Sequence, residues 1–106
     1  MTDDEALFEA VENWLSEGHG VALATVVKTW GSAPRPAGSH MAIRDDGAFL
    51  GSISGGCVEG ETIAAAAETM HDGQTRRVHF GISDDLAWSV GLACGGQIDV
   101  FLERVA

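Results

Sequence analysis

LGSISGGCVEGE, residues 50–61, decides how the rest of the chain is read. An apolar, β-prone run ends in Gly55-Gly56, a single thiol follows at Cys57, and an alanine-rich segment with helical preference begins at Val58. The glycine pair lets the backbone adopt φ > 0 or approach a ligand closely, so the stretch reads as a strand, a tight turn and a helix start. The free N–H groups of a first helical turn and the positive end of its dipole favour negative charge, either a bound phosphate or the thiolate of Cys57. The same three residues also suit a plain strand-to-helix turn around a small buried thiol.

Outward from this turn the chain alternates strand and helix patterns. Upstream, Asp45-Asp46-Gly47 is a hairpin signal between two strands, 39–44 and 48–53. Before them, VALATVVKT (21–29) is rich in β-branched residues with apolar side chains on both faces, which predicts a central strand of a covered sheet. Thr2 and Glu5 form a capping-box pattern, and Leu7, Val11, Trp14 and Leu15 recur at helical spacing up to Gly18, with Phe8 and Trp14 expected in the core. Downstream, residues 58–71 read as a helix with Ile63, Ala66, Ala67 and Met70 as its apolar stripe and Gly73 as its stop. Strands follow at 76–81 and from Gly96 onward, the last with Ile98, Val100 and Leu102 on one face. The fold class expected is α/β, a small single domain over residues 1–106 with a mixed β-sheet and packed helices.

The bulk properties narrow the function classes. A chain of 106 residues buries roughly 60 to 70% of its unfolded surface in one modest core. Sixteen acidic against six basic residues give a formal charge of −10, which opposes binding to nucleic acid or anionic membranes, so an anionic ligand must be held locally. The cations available are Lys28, Arg35, Arg44, Arg76, Arg77 and Arg104. The N-terminus lacks a signal-peptide pattern and no apolar segment approaches the ~20 residues of a membrane span, which makes the cytoplasm the expected compartment. There the two cysteines are expected as thiols, with a Cys57–Cys94 bridge the alternative.

Two further segments have the character of ligand loops. In WGSAPRPAG (30–38), Pro34 and Pro36 stiffen the chain on both sides of Arg35, whose guanidinium can take a phosphate or carboxylate bidentately. ISDDLAWSVGLACGG (82–96) carries Asp84, Asp85, Trp88 and Cys94 and ends in Gly95-Gly96, so that a cysteine lies beside a glycine pair twice in the chain. The cysteines and histidines lack the paired spacing of a zinc site, and GSISGGCVEG matches neither a P-loop nor a dinucleotide fingerprint. His40 and His79 are conceivable bases for a Cys57 nucleophile, but no local pattern places either beside it. No catalytic or metal-ligating set is assigned.

GSAPRPAG at 31–38, GSISGGCVEG at 51–60 and GLACGG at 91–96, in this order and spacing, closely resemble the N-terminal domain of the XdhC/CoxI family, the xanthine dehydrogenase accessory factors. The resemblance runs from Val21 to Glu103. It implies a non-enzymatic chaperone that binds molybdenum cofactor as cargo, protects it while its sulfido ligand is installed, and delivers it to a molybdenum hydroxylase apo-enzyme. On this chain the family's contacts fall on Ser32, Arg35, Gly55, Gly56, Cys57, Glu59, Cys94, Gly95 and Gly96. Family members typically continue into a Rossmann-like domain that lies outside these residues. The implied partners are therefore the apo-enzyme, a cysteine desulfurase, a separate Rossmann-like protein or a second copy of the chain. The alternatives are a sulfur-transfer or thiol-redox protein using Cys57 and Cys94, and a ligand-free module that binds a partner.

Overall fold

The computed structural model describes residues 3–30, 36–53, 58–80 and 97–105. Helix α1 (Asp3–Ser16) leads into strand β1 (Val21–Trp30), followed by β2 (His40–Arg44), β3 (Phe49–Gly51), helix α2 (Glu59–Asp72), β4 (Arg76–Phe80) and β5 (Gln97–Arg104). The strands form one sheet in the order β3-β2-β1-β5-β4, so the β-branched run 21–29 is indeed the central strand. The expected α/β domain of packed helices on a sheet is what forms. Its pairing is plainer than the mixed sheet expected, since β1–β2, β2–β3, β1–β5 and β4–β5 are all antiparallel. The physical reason is that β5 returns beside β1 in the reverse direction, and β4 lies outside it.

Strand alternation divides the core between two faces. Ala22, Ala24 and Val26 of β1, Met41 and Ile43 of β2, and Ile98, Val100 and Leu102 of β5 pack in one cluster with Ile53, Val58 and Ala66, on the side covered by α2. Val21 of β1 and Ala42 of β2 pack with Leu7 and Val11 of α1 on the other. The helices therefore cover opposite faces, which is why β1 is apolar on both. The register of β1 against β5 skips Val27, so that Val26 pairs with Val100 and Lys28 with Asp99. This bulge reverses which face the last residues of β1 address.

Three sequence expectations are corrected. Phe8 is 42% exposed rather than buried, with its ring edge-on to His40 at 5.5 Å between centroids. Ala67 is exposed; the buried stripe of α2 is centred on Thr62, Ala66 and Thr69, with Ile63 and Met70 packed partly against it. Thr62 is hidden from a polarity pattern because its Oγ1 donates to the Val58 carbonyl at 2.8 Å, which leaves its methyl group free to pack. β3 is shorter than 48–53, since Gly51 at φ +87° leaves extended geometry. The hairpin is as expected: Gly47 takes φ +92°, and the Arg44 and Ala48 main chains close the loop at 2.7 Å. Gly73 at φ +72° donates its N–H to the Thr69 carbonyl and ends α2. The Thr2 cap lies outside the described residues, as does Trp88.

The end of the sheet carrying Asp45 and Gly73 is fastened by carboxylates. Asp45 accepts from the Gly20 N–H and from His19, and both contacts lower its pKa from 3.8. Arg44, lying over the Trp14 ring at 5.6 Å, pairs with Asp46 and pulls that carboxyl well below its usual range. Arg76 together with the Gln74 N–H lowers Asp72 to about 2. A carboxyl whose folded-state pKa lies below its unfolded value stabilises the fold fully above the unfolded pKa, and loses that contribution as pH falls through the folded one. The melting temperature should therefore be flat down to about pH 4 and fall between about pH 4 and pH 2, less steeply in Asp72→Asn. A series of thermal melts checks this, and an unchanged melting temperature at about pH 2.5 contradicts it.

Among the described residues no helix is long and apolar enough to cross a membrane.

Candidate functional site

The strand directions bring three chain breaks of the pattern to one end of the sheet. β1 ends there at Trp30, directly across from Gln97, where β5 begins. Phe80, the last residue of β4, pairs with Ile98 beside it. On the other side of β1, Thr25 pairs with His40 and Met41 with Gly51, which puts the start of β2 and the finish of β3 at the same end. Helix α2 begins there too, because it runs from Val58 down to Gly73, whose neighbour is the Arg104 side chain at the far end of β5. Segments 31–35, 54–57 and 81–96 are thus each attached by described residues to a single end of the sheet. These are the segments that hold the three sequence motifs.

The frame around that end is polar and well tied. Gly38 at φ +93° donates its N–H to the Val26 carbonyl at 2.7 Å, and the Val26 N–H donates to the Ser39 carbonyl at 2.9 Å, which returns the proline-flanked loop to the sheet. Ser39 Oγ donates to the Pro36 carbonyl at 2.8 Å and closes the turn. The His40 ring is held by Thr25 Oγ1 at 3.1 Å. Ser52 Oγ donates to Glu59 Oε1 at 3.4 Å, linking the residue after β3 to the first turn of α2.

Glu59 is the one expected contact residue that is described. It is 7% exposed and sits in the first turn of α2 with Glu61, where carboxylates are favoured by the helix dipole. Its side chain is turned into the frame toward Ser52. Ser32, Arg35, Gly55, Gly56, Cys57, Cys94, Gly95 and Gly96 lie outside the described residues. The helix start expected just after Cys57 is observed, with Val58 at the N-cap. Of the two histidines considered as bases, His40 is committed to Thr25 and the Phe8 ring, and His79 is hydrogen-bonded to Asp99 at 2.6 Å on the β4–β5 ladder.

The described arginines are engaged in the fold. Arg44 pairs with Asp46 and Arg76 with Asp72, Arg77 grips Asp99 Oδ2 through Nε and Nη2 at 3.0 and 2.7 Å, and Arg104 reaches the Met70 carbonyl. Asp99 is accordingly held below its usual pKa by His79 and Arg77. Sequence patterns do not single out Ser39, Ser52, Thr25 and His40 as a group. The signal that could have found part of it is the hairpin register, which Asp45-Asp46-Gly47 fixes and which pairs Met41 with Gly51, bringing the start of β2 beside Ser52; the pairing of Thr25 with His40 belongs to the β1–β2 ladder and has no such local signal.

The family model described as "XdhC and CoxI family" matches residues 14–81. The chain belongs to the XdhC and CoxI family. Among its relatives are the molybdenum cofactor insertion chaperone PaoD of Escherichia coli K12, 39% identical over 99% of this chain and 33% of its own length, and a probable xanthine dehydrogenase subunit from Bacillus subtilis, 36% identical over 86% and 28%. A crystal structure of a xanthine dehydrogenase from Bacillus halodurans superposes on the whole of this XdhC and CoxI domain with a TM-score of 0.80 at 32% identity, using 31% of that chain. The domain spans about a third of the length of the relatives it matches.

Proposed function

We propose that this domain binds molybdenum cofactor as cargo and serves the maturation of a molybdenum hydroxylase, shielding the cofactor during sulfuration and passing it to the apo-enzyme. The observation that carries the reading is the attachment of all three family motifs to one end of the sheet, beside the start of α2. The names of its relatives, a cofactor insertion chaperone among them, point the same way. The cofactor's phosphate suits the first-turn N–H groups of α2 and the guanidinium of Arg35. Its dithiolene-bound metal suits the soft sulfur of Cys57 and Cys94. Ser32, Gly55, Gly56, Gly95 and Gly96 would supply hydroxyl and main-chain contacts, with Glu59 tying the start of α2 to Ser52.

A cargo of this size needs most of its surface covered, and a domain this small offers a shallow surface, so the reading includes a partner: a second copy or a Rossmann-like domain closing over the end. Titrating the protein with molybdenum cofactor under anaerobic conditions tests the proposal. Saturable binding that slows oxidation of the cofactor in air is expected, and the absence of binding overturns it.

A second reading, sulfur transfer, is favoured by one observation: the segments bearing Cys57 and Cys94 attach at the same end. Mass spectrometry after incubation with a cysteine desulfurase and cysteine distinguishes it by one added sulfur on Cys57.

A further inference from the structure

The two edges of the sheet are unlike. β4 presents Arg76, Arg77 and His79, a charged edge of the kind that resists pairing with another chain. β3 presents Phe49, Leu50 and Gly51, all exposed and none charged. Four large hydrophobic side chains are exposed among the described residues, and two of them lie on the α1 side of this edge, Leu50 at 41% and Phe8 at 42%, while Phe49 at 47% projects from the opposite face of β3. Between α1 and β3 lies a cleft of about 290 Å³ lined by Asp4, Leu7, His40, Leu50, Gly51 and Ser52. An exposed apolar group beside an edge strand is the usual form of a site that captures an extended segment by strand addition.

Charge identifies the occupant. Helix α1 carries Asp3, Asp4, Glu5, Glu9 and Glu12 and no basic residue, and of these Asp4 lines the cleft itself. A second copy seated here would set two such helices against each other on chains that each carry −10. A cationic segment would be attracted instead. Position adds a second reason, because Ser52 lines the cleft and also bonds Glu59 in the first turn of α2, so the cleft adjoins the end that carries the motifs.

We propose that the β3 edge and the α1–β3 cleft dock an extended, apolar and cationic segment of the molybdenum hydroxylase that receives the cofactor. The segment adds to β3 by main-chain hydrogen bonds, places apolar side chains against Phe8 and Leu50, and its lysines or arginines face α1. The inference rests on the cofactor-delivery reading, and holds the client next to its cargo.

The test measures the affinity of the protein for a purified apo-form xanthine dehydrogenase, and separately for molybdenum cofactor, with Leu50→Lys and Asp4→Lys variants, both at residues that line the cleft. Both positions are exposed, and circular dichroism verifies that each variant is folded. Each should weaken apo-enzyme binding roughly tenfold or more while leaving cofactor affinity unchanged, and added salt should weaken the wild-type complex. Wild-type affinity in both variants overturns the proposal. So does light scattering that shows a dimer of the chain lost in Leu50→Lys, since the occupant is then a second copy. Failure of the wild type to bind cofactor, with apo-enzyme binding still sensitive to both variants, sinks the delivery reading and leaves the docking surface standing.

Discussion

Gly51→Ala should destabilise the domain by about 2–5 kcal/mol, a large share of the roughly 5–15 kcal/mol that holds a domain of this kind together. Two costs combine. The residue has φ +87°, a conformation that L side chains rarely adopt and that costs about 1–3 kcal/mol. A Cβ at this position would lie 2.5 Å from the His40 carbonyl oxygen and 2.7 Å from Leu7 Cδ1. The leucine can move at the expense of α1 packing, but the His40 oxygen belongs to the strand next to β3 and cannot yield without loosening the Met41–Gly51 register. At about 4–8 °C per kcal/mol the melting temperature should fall by at least about 8 °C. Gly60→Ala is the opposite control: the position is helical with nothing within 4 Å of the added Cβ, so about 0.5–1 kcal/mol of stabilisation is expected. Melts of the two variants decide the point, and equal behaviour contradicts the packing described at Gly51.

Arg35→Ala should weaken cofactor binding by about 1–3 kcal/mol, roughly 5- to 150-fold, with stability unchanged. The reason has two parts. In the sequence, two prolines pre-order the loop around this guanidinium, so less freedom is lost on binding. In the structure, Arg44, Arg76 and Arg104 serve contacts at the opposite end of the sheet, and Arg77 is clamped on Asp99. On a chain of net charge −10 this is why Arg35 is the arginine proposed to hold an anion at the motif end. Arg76→Ala should show the reverse pattern, with lowered stability and unchanged affinity. Calorimetric titration checks both, and equal affinity of Arg35→Ala and wild type would place this side chain on the bare surface.

Much of the fold is legible in the sequence because its signals are local. The Asp45-Asp46-Gly47 turn, the β-branched 21–29 run, the Gly73 stop and the alternation of Ile98, Val100 and Leu102 each act over a few residues. What the sequence misleads about depends on how each helix is rotated on the sheet and on which hydrogen bonds its polar side chains find. Ala67 and Phe8 are apolar, yet the rotation of each helix on the sheet leaves them outside, while Thr62 and Thr69 are taken inside because their hydroxyls find partners in Val58 and Arg76. The antiparallel placing of β5 beside β1 likewise has no local signature. At the site, the helix start after Cys57 and the acidic first turn are readable. The brace from Ser52 to Glu59 and the cleft beside it are not, since both need the end of β3 and the helices brought together.

Three motifs distant in sequence are proposed to form one cofactor site at one end of the sheet. Amide chemical shifts of the isotope-labelled protein, followed during titration with molybdenum cofactor, test this most directly. The largest changes are expected at Ser39, His40, Ser52, Val58, Glu59, Phe80 and Gln97, with Asp45 to Gly47, Gly73 and Arg104 at the opposite end unmoved. Changes centred on that opposite end, or confined to the flank of a single motif, would contradict it.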